Sequence, residues 1–135
     1  MDGGARKQYG SESSNPKDAF DPQKVWNTTK TSLPTFIDMC WGKTKKKRIV
    51  RVGFRIKGVA FAPKDFEIYR FTTGGKPVDM LTIRNAQWKQ NDEFQSWIIP
   101  KEKRSFNNCY GLRLRESMGD VDAVILSNIQ MWEQA

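Results

Sequence analysis

The chain has 135 residues, of which 38% are hydrophobic, 28% charged and 12% aromatic, and its formal net charge is +8. A chain of this length is expected to fold as one domain around its own core, and the composition excludes a disordered or fibrous protein. No apolar segment is long enough to cross a membrane as a helix. The positive charge favours an acidic partner, such as nucleic acid, an anionic membrane or an acidic protein surface.

Residues 1–14 are rich in Gly, Ser and charged residues and are predicted to form a flexible N-terminal lead. Residues 15–135 are predicted to form a single β-sandwich domain. The first ten residues lack the apolar segment of a signal peptide, which favours an intracellular location unless the chain is a domain excised from a secreted precursor.

A polar segment at residues 23–34 carries Lys24 and Trp26. Residues 36–41 are predicted to form a strand. The lysine-rich run at residues 43–48 is expected to be a solvated hairpin turn into the next strand.

Apolar and polar residues alternate along residues 48–57, which is the pattern of a strand with one buried face. The positions predicted to face the core are Val50, Val52, Phe54 and Ile56. The opposite, basic face carries Arg51, Gly53, Arg55 and Lys57. Residues 109–116 repeat the arrangement, with Tyr110, Leu112 and Leu114 alternating with Gly111, Arg113 and Arg115.

The rest of the chain adds further short strands separated by turn signals. A hairpin is indicated at Gly74 and Gly75. The connector at residues 58–65 presents Phe61 and Lys64, and the loop at residues 85–92 presents Trp88 and Lys89. About eight short strands without an amphipathic helix indicate an all-β protein, an antiparallel sandwich or barrel.

The two cysteines, Cys40 and Cys109, each lie in a predicted strand. They could pair if the two strands are neighbours, but free buried thiols are the expected state, because two cysteines in a domain of this size are a weak disulfide signal.

Catalytic chemistry is not evident in the sequence. The chain contains no His, and two Cys without His form neither a zinc site nor a nucleophile pair. Asp120 and Asp122 could bind a hard cation, but a single pair is weak evidence. We therefore expect no enzyme, no metal site and no cofactor.

Several segments resemble the discoidin, or coagulation-factor type C, domain family. They are the Ala-Phe-Asp sequence at residues 19–21 with the following Trp26, residues 36–43, residues 49–58, residues 66–69, residues 73–75, Leu-Arg-Leu at residues 112–114, and residues 126–132. The resemblance implies a galactose-binding-like jelly roll, an antiparallel β-sandwich. The pair of terminal cysteines common in the family is missing, and intracellular relatives of this jelly roll are binding subunits of larger assemblies.

The resemblance also implies a binding site at loop tips gathered at one end of the sandwich. Its predicted residues are Lys24, Trp26, Phe61, Lys64, Trp88 and Lys89. Exposed rings beside lysines would attach the protein, as a non-catalytic recognition or adhesion module, to a glycan, an anionic lipid headgroup or a protein surface.

A second candidate surface is a basic sheet face formed by Arg51, Arg55, Lys57, Arg113 and Arg115. It suits carboxylates or phosphates, unless Asp38, Asp65 and Glu67 neutralise it. Nucleic acid could use this face, but it is the least favoured partner because the charge is spread along the chain. The alternative function is a structural subunit that contacts other proteins within an intracellular assembly.

Overall fold

The computed structural model describes residues 4–9, 26–27, 33–42, 44–119 and 123–134. These residues form ten strands, and every pairing between them is antiparallel. The strands are β1 (Gly4–Tyr9), β2 (Trp26–Asn27), β3 (Thr35–Cys40), β4 (Lys47–Ile56), β5 (Pro63–Phe71), β6 (Pro77–Ile83), β7 (Phe94–Ile98), β8 (Phe106–Asn107), β9 (Cys109–Ser117) and β10 (Ile125–Glu133). In the part of the chain described here, no helix has the length and apolar character of a membrane span.

The strands form two sheets that pack face to face. Sheet one has the order β1-β3-β9-β5-β6, and sheet two has the order β2-β10-β4-β7, with β8 paired to the start of β4. The predicted antiparallel sandwich is therefore confirmed. The two-residue strands β2 and β8 account for the excess over the eight strands expected.

Alternating side chains of both sheets build the core. Val52, Phe54 and Ile56 of β4 are buried, as are Leu112 and Leu114 of β9, which confirms the alternation predicted for these strands. The predicted core position Val50 is only half-buried, because β4 changes register at its start and buries Ile49 there.

An aromatic cluster joins the two sheets. Phe54 of β4 lies with its ring centroid 5.5 Å from Phe66 of β5, and Trp97 of β7 lies 5.1 Å from Phe54 and 4.9 Å from Phe66. Aromatic pairs at these distances add about 0.5–1.5 kcal/mol each beyond the burial of their surface.

The connection between β5 and β6 is the hairpin predicted from the glycine pair. Gly75 has a φ of 83° and its amide donates to the Thr72 carbonyl at 2.8 Å. A positive φ carries no steric penalty for glycine, which explains this residue at the turn. The lysine-rich run, by contrast, is not a hairpin turn: it leads from β3 in sheet one to β4 in sheet two.

Cys40 and Cys109 form a disulfide, so the expectation of free thiols is wrong. The physical reason is the sheet register, which places the two residues directly opposite each other on the neighbouring strands β3 and β9 with their Cα atoms 4.1 Å apart. The sequence separation of 69 hid this proximity.

The N-terminal strand lies inside the segment that was predicted to be a flexible lead. Residues Gly4–Tyr9 pair with β3 and extend sheet one at its edge. Asp120 and Asp122, the weak cation candidates, lie outside the described residues.

Candidate functional site

Three connections gather at one end of the sandwich, which we call the loop end. They are residues 57–62 after β4, residues 84–93 between β6 and β7, and residues 118–119 after β9. Hydrogen bonds join them from the Asp92 amide to the Lys57 carbonyl at 3.1 Å, and from the Met118 amide to the Ala62 carbonyl at 2.9 Å. The connectors that carry Phe61 and Trp88 therefore meet at this end of the sandwich.

Trp88 is a core residue and not an exposed loop tip. Its side chain is 6% exposed, its ring centroid lies 5.8 Å from those of Phe54 and Trp97, and its Nε1 donates to the Pro63 carbonyl at 2.9 Å. Since both the ring face and the only polar atom are used inside the protein, this side chain presents no free surface to a ligand.

The other predicted loop-tip residues differ in what the structure shows of them. Lys24 lies outside the described residues, and the backbone of Trp26 forms β2 beside the start of β10. Phe61 is half-buried and Lys89 is exposed. Lys64 lies 4.0 Å from the Glu116 carboxylate, so part of the charge of the loop end is balanced.

The predicted basic sheet face is divided between two surfaces. Arg113 and Arg115 belong to β9 in sheet one, whereas Arg51 and Arg55 belong to β4 in sheet two. Lys57 lies beyond the end of β4 and forms an ion pair of 3.7 Å with Asp92 at the loop end. These five residues therefore do not form one basic face.

On sheet one, three arginines donate hydrogen bonds to a buried carboxylate, that of Glu67. Glu67 is 1% exposed and accepts hydrogen bonds from Arg115 at 2.6 Å, Arg84 at 2.9 Å and Arg113 at 3.1 Å. Burial alone would raise the pKa of Glu67, but these three hydrogen bonds outweigh burial and hold the pKa below its usual 4.5. The neutralised arrangement weighed in the sequence analysis is the one found for Arg113 and Arg115.

Asp38 is also used inside sheet one. Its Oδ1 accepts a hydrogen bond from the Tyr69 hydroxyl at 2.6 Å, and the Arg113 guanidinium stacks 5.0 Å from the Tyr69 ring centroid. Burial and the bond to the Asp38 carboxylate raise the pKa of Tyr69 far above its usual range. The outer face of sheet one is thus an internally paired network of charges.

The outer face of sheet two is different, because an exposed ring, Trp132, and a half-buried ring, Phe94, lie there beside arginines. In register, Trp132 of β10 and Ile98 of β7 flank Arg51 of β4, and Phe94 of β7 flanks Arg55. Directly opposed residues project to the same face of a sheet, so these side chains form one continuous surface. We call Arg51, Arg55, Phe94, Ile98 and Trp132 the aromatic–arginine platform.

Gly53 explains how the platform is held together. It lies between Arg51 and Arg55, and a Cβ atom there would stand 2.8 Å from the Phe94 Cζ. The Phe94 ring therefore packs against the backbone of Gly53. It also contacts the Trp132 ring, with the two ring centroids 6.4 Å apart at an interplanar angle of 77°. Phe94 supports the exposed Trp132 ring edge to face.

The platform arginines have only neutral partners among the residues described. Arg51 Nη1 donates to Ser96 Oγ at 2.9 Å and Arg55 Nη1 donates to the Asp92 carbonyl at 2.7 Å. Their guanidinium groups lie 6.0 Å from the Trp132 ring centroid and 5.8 Å from that of Phe94, respectively. Neither forms an ion pair with a described carboxylate, so no acidic side chain in the described part of the chain balances the positive charge of the platform.

Trp132, Phe94 and Ile98 were not predicted as site residues. Trp132 is 36% exposed and Ile98 56% exposed, which is unusual for large apolar side chains beside an arginine pair. The signal available in the sequence was Arg51-Val52-Gly53-Phe54-Arg55 in a strand pattern: the outward glycine leaves space for a ring from a neighbouring strand.

The opposite end of the sandwich carries most of the lysine-rich run. Arg48 lies directly opposite Phe106 in the β4–β8 pair, and Phe106 is 64% exposed. Lys47 is paired with Glu133 at 3.2 Å. Lys101 and Lys103 follow in an exposed turn.

Among the residues that the structure describes, we find no catalytic constellation. The sequence has no His, and the described residues contain no cluster of three metal-binding side chains. The chemistry that this surface supports is recognition: stacking on rings and hydrogen bonding to guanidinium groups.

Comparison with known proteins supports the fold at low sequence identity. No protein-family model and no curated protein sequence matches this chain. Solved structures do. The Clostridium perfringens domain CpGH89CBM32-5, in complex with GalNAc-β-1,3-galactose, has a TM-score of 0.76 at 12% identity, over 97% of this chain and 95% of that one.

Two further structures agree. The family 32 carbohydrate-binding module of C. perfringens NanJ, in complex with galactose, has a TM-score of 0.74 at 13% identity, over 96% of this chain and 93% of that one. The CBM32 of AlyQ, in complex with 4,5-unsaturated mannuronic acid, has a TM-score of 0.73 at 8% identity, over 93% and 92%. This chain therefore has the discoidin-like, galactose-binding-like jelly-roll fold of the family 32 carbohydrate-binding modules.

Proposed function

We propose that this protein is a non-catalytic carbohydrate-binding module and that it binds glycan on the aromatic–arginine platform. Two independent observations support the proposal. The fold matches that of modules whose structures contain galactose, GalNAc-β-1,3-galactose and 4,5-unsaturated mannuronic acid. The platform supplies the exposed aromatic ring that such recognition needs.

The observation that carries the proposal is the Trp132 ring. It is partly exposed, it is held edge-on by Phe94, and the Arg51 guanidinium lies beside it. A sugar presents one apolar C–H face, which packs on an aromatic ring, and hydroxyl groups at its edge, which need hydrogen-bond partners. The ring and the flanking polar groups of the platform meet both needs.

The loop end meets these needs less well in the described residues. Its large ring, Trp88, is buried, and Lys57 and Lys64 are each close to a carboxylate. We therefore place the glycan on sheet two and not at the loop tips.

The test is glycan binding by Trp132→Ala, measured by calorimetry with galactose, GalNAc-β-1,3-galactose and oligomannuronate as probes. We expect the affinity to fall about tenfold, because the stacking surface of the ring is lost. Phe106→Ala is the control, since it removes another exposed ring that lies outside the platform, opposite Arg48 in the β4–β8 pair. It should bind as the wild type does.

Unchanged binding by Trp132→Ala, together with lost binding by Phe61→Ala, would move the site to the loop end. Equal losses in the Trp132 and Phe106 variants would mean that neither ring marks a specific site.

A second candidate function, a structural subunit of an assembly, is favoured by the edge of sheet two. Ile98 lies on β7, which ends the sheet among the described strands, and is 56% exposed beside Arg51. Apolar side chains next to Arg and Trp are typical of the centre of protein interfaces. Migration of the native protein in a stable large complex, released by Ile98→Glu, would favour this function over glycan binding.

A further inference from the structure

We infer that the aromatic–arginine platform selects acidic glycans, those that carry carboxylate or sulfate groups along an extended chain. This inference rests on the proposed glycan-binding function and adds the class of glycan. It comes from the contrast between the charges on the two outer faces of the sandwich.

On sheet one, Arg84, Arg113 and Arg115 each form an ion pair with Glu67, so each of these arginines already has a carboxylate partner within the protein. On sheet two, Arg51 and Arg55 each donate one hydrogen bond to a neutral oxygen, at 2.9 Å and 2.7 Å respectively. A guanidinium group has five N–H donors in a fork that matches carboxylate and sulfate oxygens. An acidic group on the ligand would supply the counter-charge that the described protein residues do not.

The spacing of the two arginines favours a chain over a single sugar. They lie four positions apart on one strand and on one face, which places their Cα atoms about 13 Å apart. The Phe94 ring lies over Gly53 between the two arginines and contacts the Trp132 ring, which lies in register beside Arg51. An oligosaccharide lying along β4 can therefore stack on these rings and reach each arginine with an acidic group.

The row between the arginines is polar but uncharged, which favours glycan over nucleic acid. Gly53 is flanked in register by Gln130 of β10 and Ser96 of β7. An amide and a hydroxyl suit sugar hydroxyls, whereas the closely spaced phosphates of a nucleic acid call for a cation in this row as well. Positive charge at the two ends and neutral donors in the middle match a polymer of mixed acidic and hydroxyl character.

The experiment compares acidic glycans with their neutral forms on the intact protein. The probes are tetragalacturonic acid against its methyl ester, and a sulfated carrageenan tetrasaccharide against its desulfated form, so that carboxylate and sulfate are tested separately. We expect the wild type to bind at least one acidic probe at least about tenfold more tightly than its neutral form. Added salt should reduce this preference.

Two double variants locate the preference. Arg51→Gln with Arg55→Gln should abolish it while leaving weak binding of the neutral forms, because glutamine keeps a donor and the aliphatic stem. Lys101→Gln with Lys103→Gln removes the same charge from the exposed turn that follows β7, outside the platform, and should leave the preference intact.

Equal affinity of the wild type for acidic and neutral forms overturns this inference, and this comparison needs no variant. An equal loss in the lysine variant overturns it as well, because the attraction is then a general property of the net charge. In either case, loss of neutral-glycan binding by Trp132→Ala leaves the proposed function standing. Binding of no glycan overturns both, and preferential binding of single-stranded DNA through Arg51 and Arg55 assigns the platform to nucleic acid.

Discussion

Replacing Trp88 by alanine is predicted to destabilise the protein strongly. The side chain is 6% exposed, contacts Phe54 and Trp97, and donates a hydrogen bond to the Pro63 carbonyl. Truncating a buried aromatic residue costs about 3–5 kcal/mol, because the transfer free energy of the ring is lost and a cavity remains. For a domain of this size the melting temperature should fall by about 10–25 °C.

Thermal and urea unfolding followed by circular dichroism measure the effect. Trp132→Ala is the matched control, since this ring is exposed on sheet two, and the free energy of unfolding should change by less than about 1 kcal/mol. The loss of unfolding free energy in Trp88→Phe should lie between those of the two alanine variants, because an aromatic ring remains but the Pro63 carbonyl loses its hydrogen-bond donor. If Trp88→Ala instead unfolds within a few degrees of the wild type and loses glycan binding, Trp88 is an exposed ligand-binding ring and the loop-tip site is the correct one.

Three further perturbations test the elements that hold the site. Because hydrogen bonds hold the pKa of Glu67 below 4.5 in the folded protein, its contribution to stability is complete above that pH and is lost as the pH falls through the lower folded value. Glu67→Gln should therefore be less stable at neutral pH, and its unfolding free energy should fall less steeply than that of the wild type between about pH 5 and 3; parallel pH profiles would contradict this. Replacing Cys40 and Cys109 by serine should lower the free energy of unfolding by about 2–4 kcal/mol, because the disulfide closes a loop of 69 residues in the unfolded chain. A urea unfolding midpoint of the wild type that does not change when reductant is added would contradict the presence of this disulfide. Gly53→Ala should cost about 1–3 kcal/mol and weaken glycan binding, because its Cβ would crowd Phe94 and the Gln95 carbonyl; wild-type binding by this variant would show that the position of Phe94 does not matter.

Alternation along the strands was the most informative feature of the sequence. In β4 and β9 it correctly assigned Phe54, Ile56, Leu112 and Leu114 to the core, because successive side chains of a strand project to opposite faces. It also correctly predicted that Arg51 lies on the outer face of its sheet. Alternation, however, describes one strand at a time.

The errors arose where a conclusion needed the relation between strands. Alternation cannot tell which sheet a strand joins, so Arg51 and Arg113 were placed on one basic face although they lie on different sheets. The disulfide was missed for the same reason, since Cys40 and Cys109 meet only through the register of β3 and β9.

The loops were harder to interpret because their composition resembles that of exposed loops. Trp88 lies among Lys, Gln and Asn residues, yet its connector folds back over the core. Asn85 and Asp92, both with positive φ, lie near the two ends of this connector. Residues in this left-handed conformation bend the chain locally. Sequence composition does not show whether such a bend directs the Trp88 ring toward the core or toward solvent.

The site itself depends on contacts between three strands. Trp132 comes from β10, Phe94 from β7 and the arginines from β4, so no local motif contains the platform. A local irregularity adds to the difficulty: β10 changes register between Ser127 and Gln130, and Asn128 within this bulge has a φ of 53°. A bulge changes which side chains face outward.

The central claim is that glycan binds on the aromatic–arginine platform. Its most direct test is a nuclear magnetic resonance titration, in which an oligosaccharide that the protein binds is added to the isotope-labelled protein. Our account predicts that the largest shift changes occur at the Trp132 indole, the Phe94 ring and the Arg51 and Arg55 guanidinium groups. The Trp88 indole and the amides of residues 57–62 should shift little. Changes concentrated at Phe61, Lys89 and Trp88, with the Trp132 indole unmoved, would contradict the account and place the glycan at the loop end.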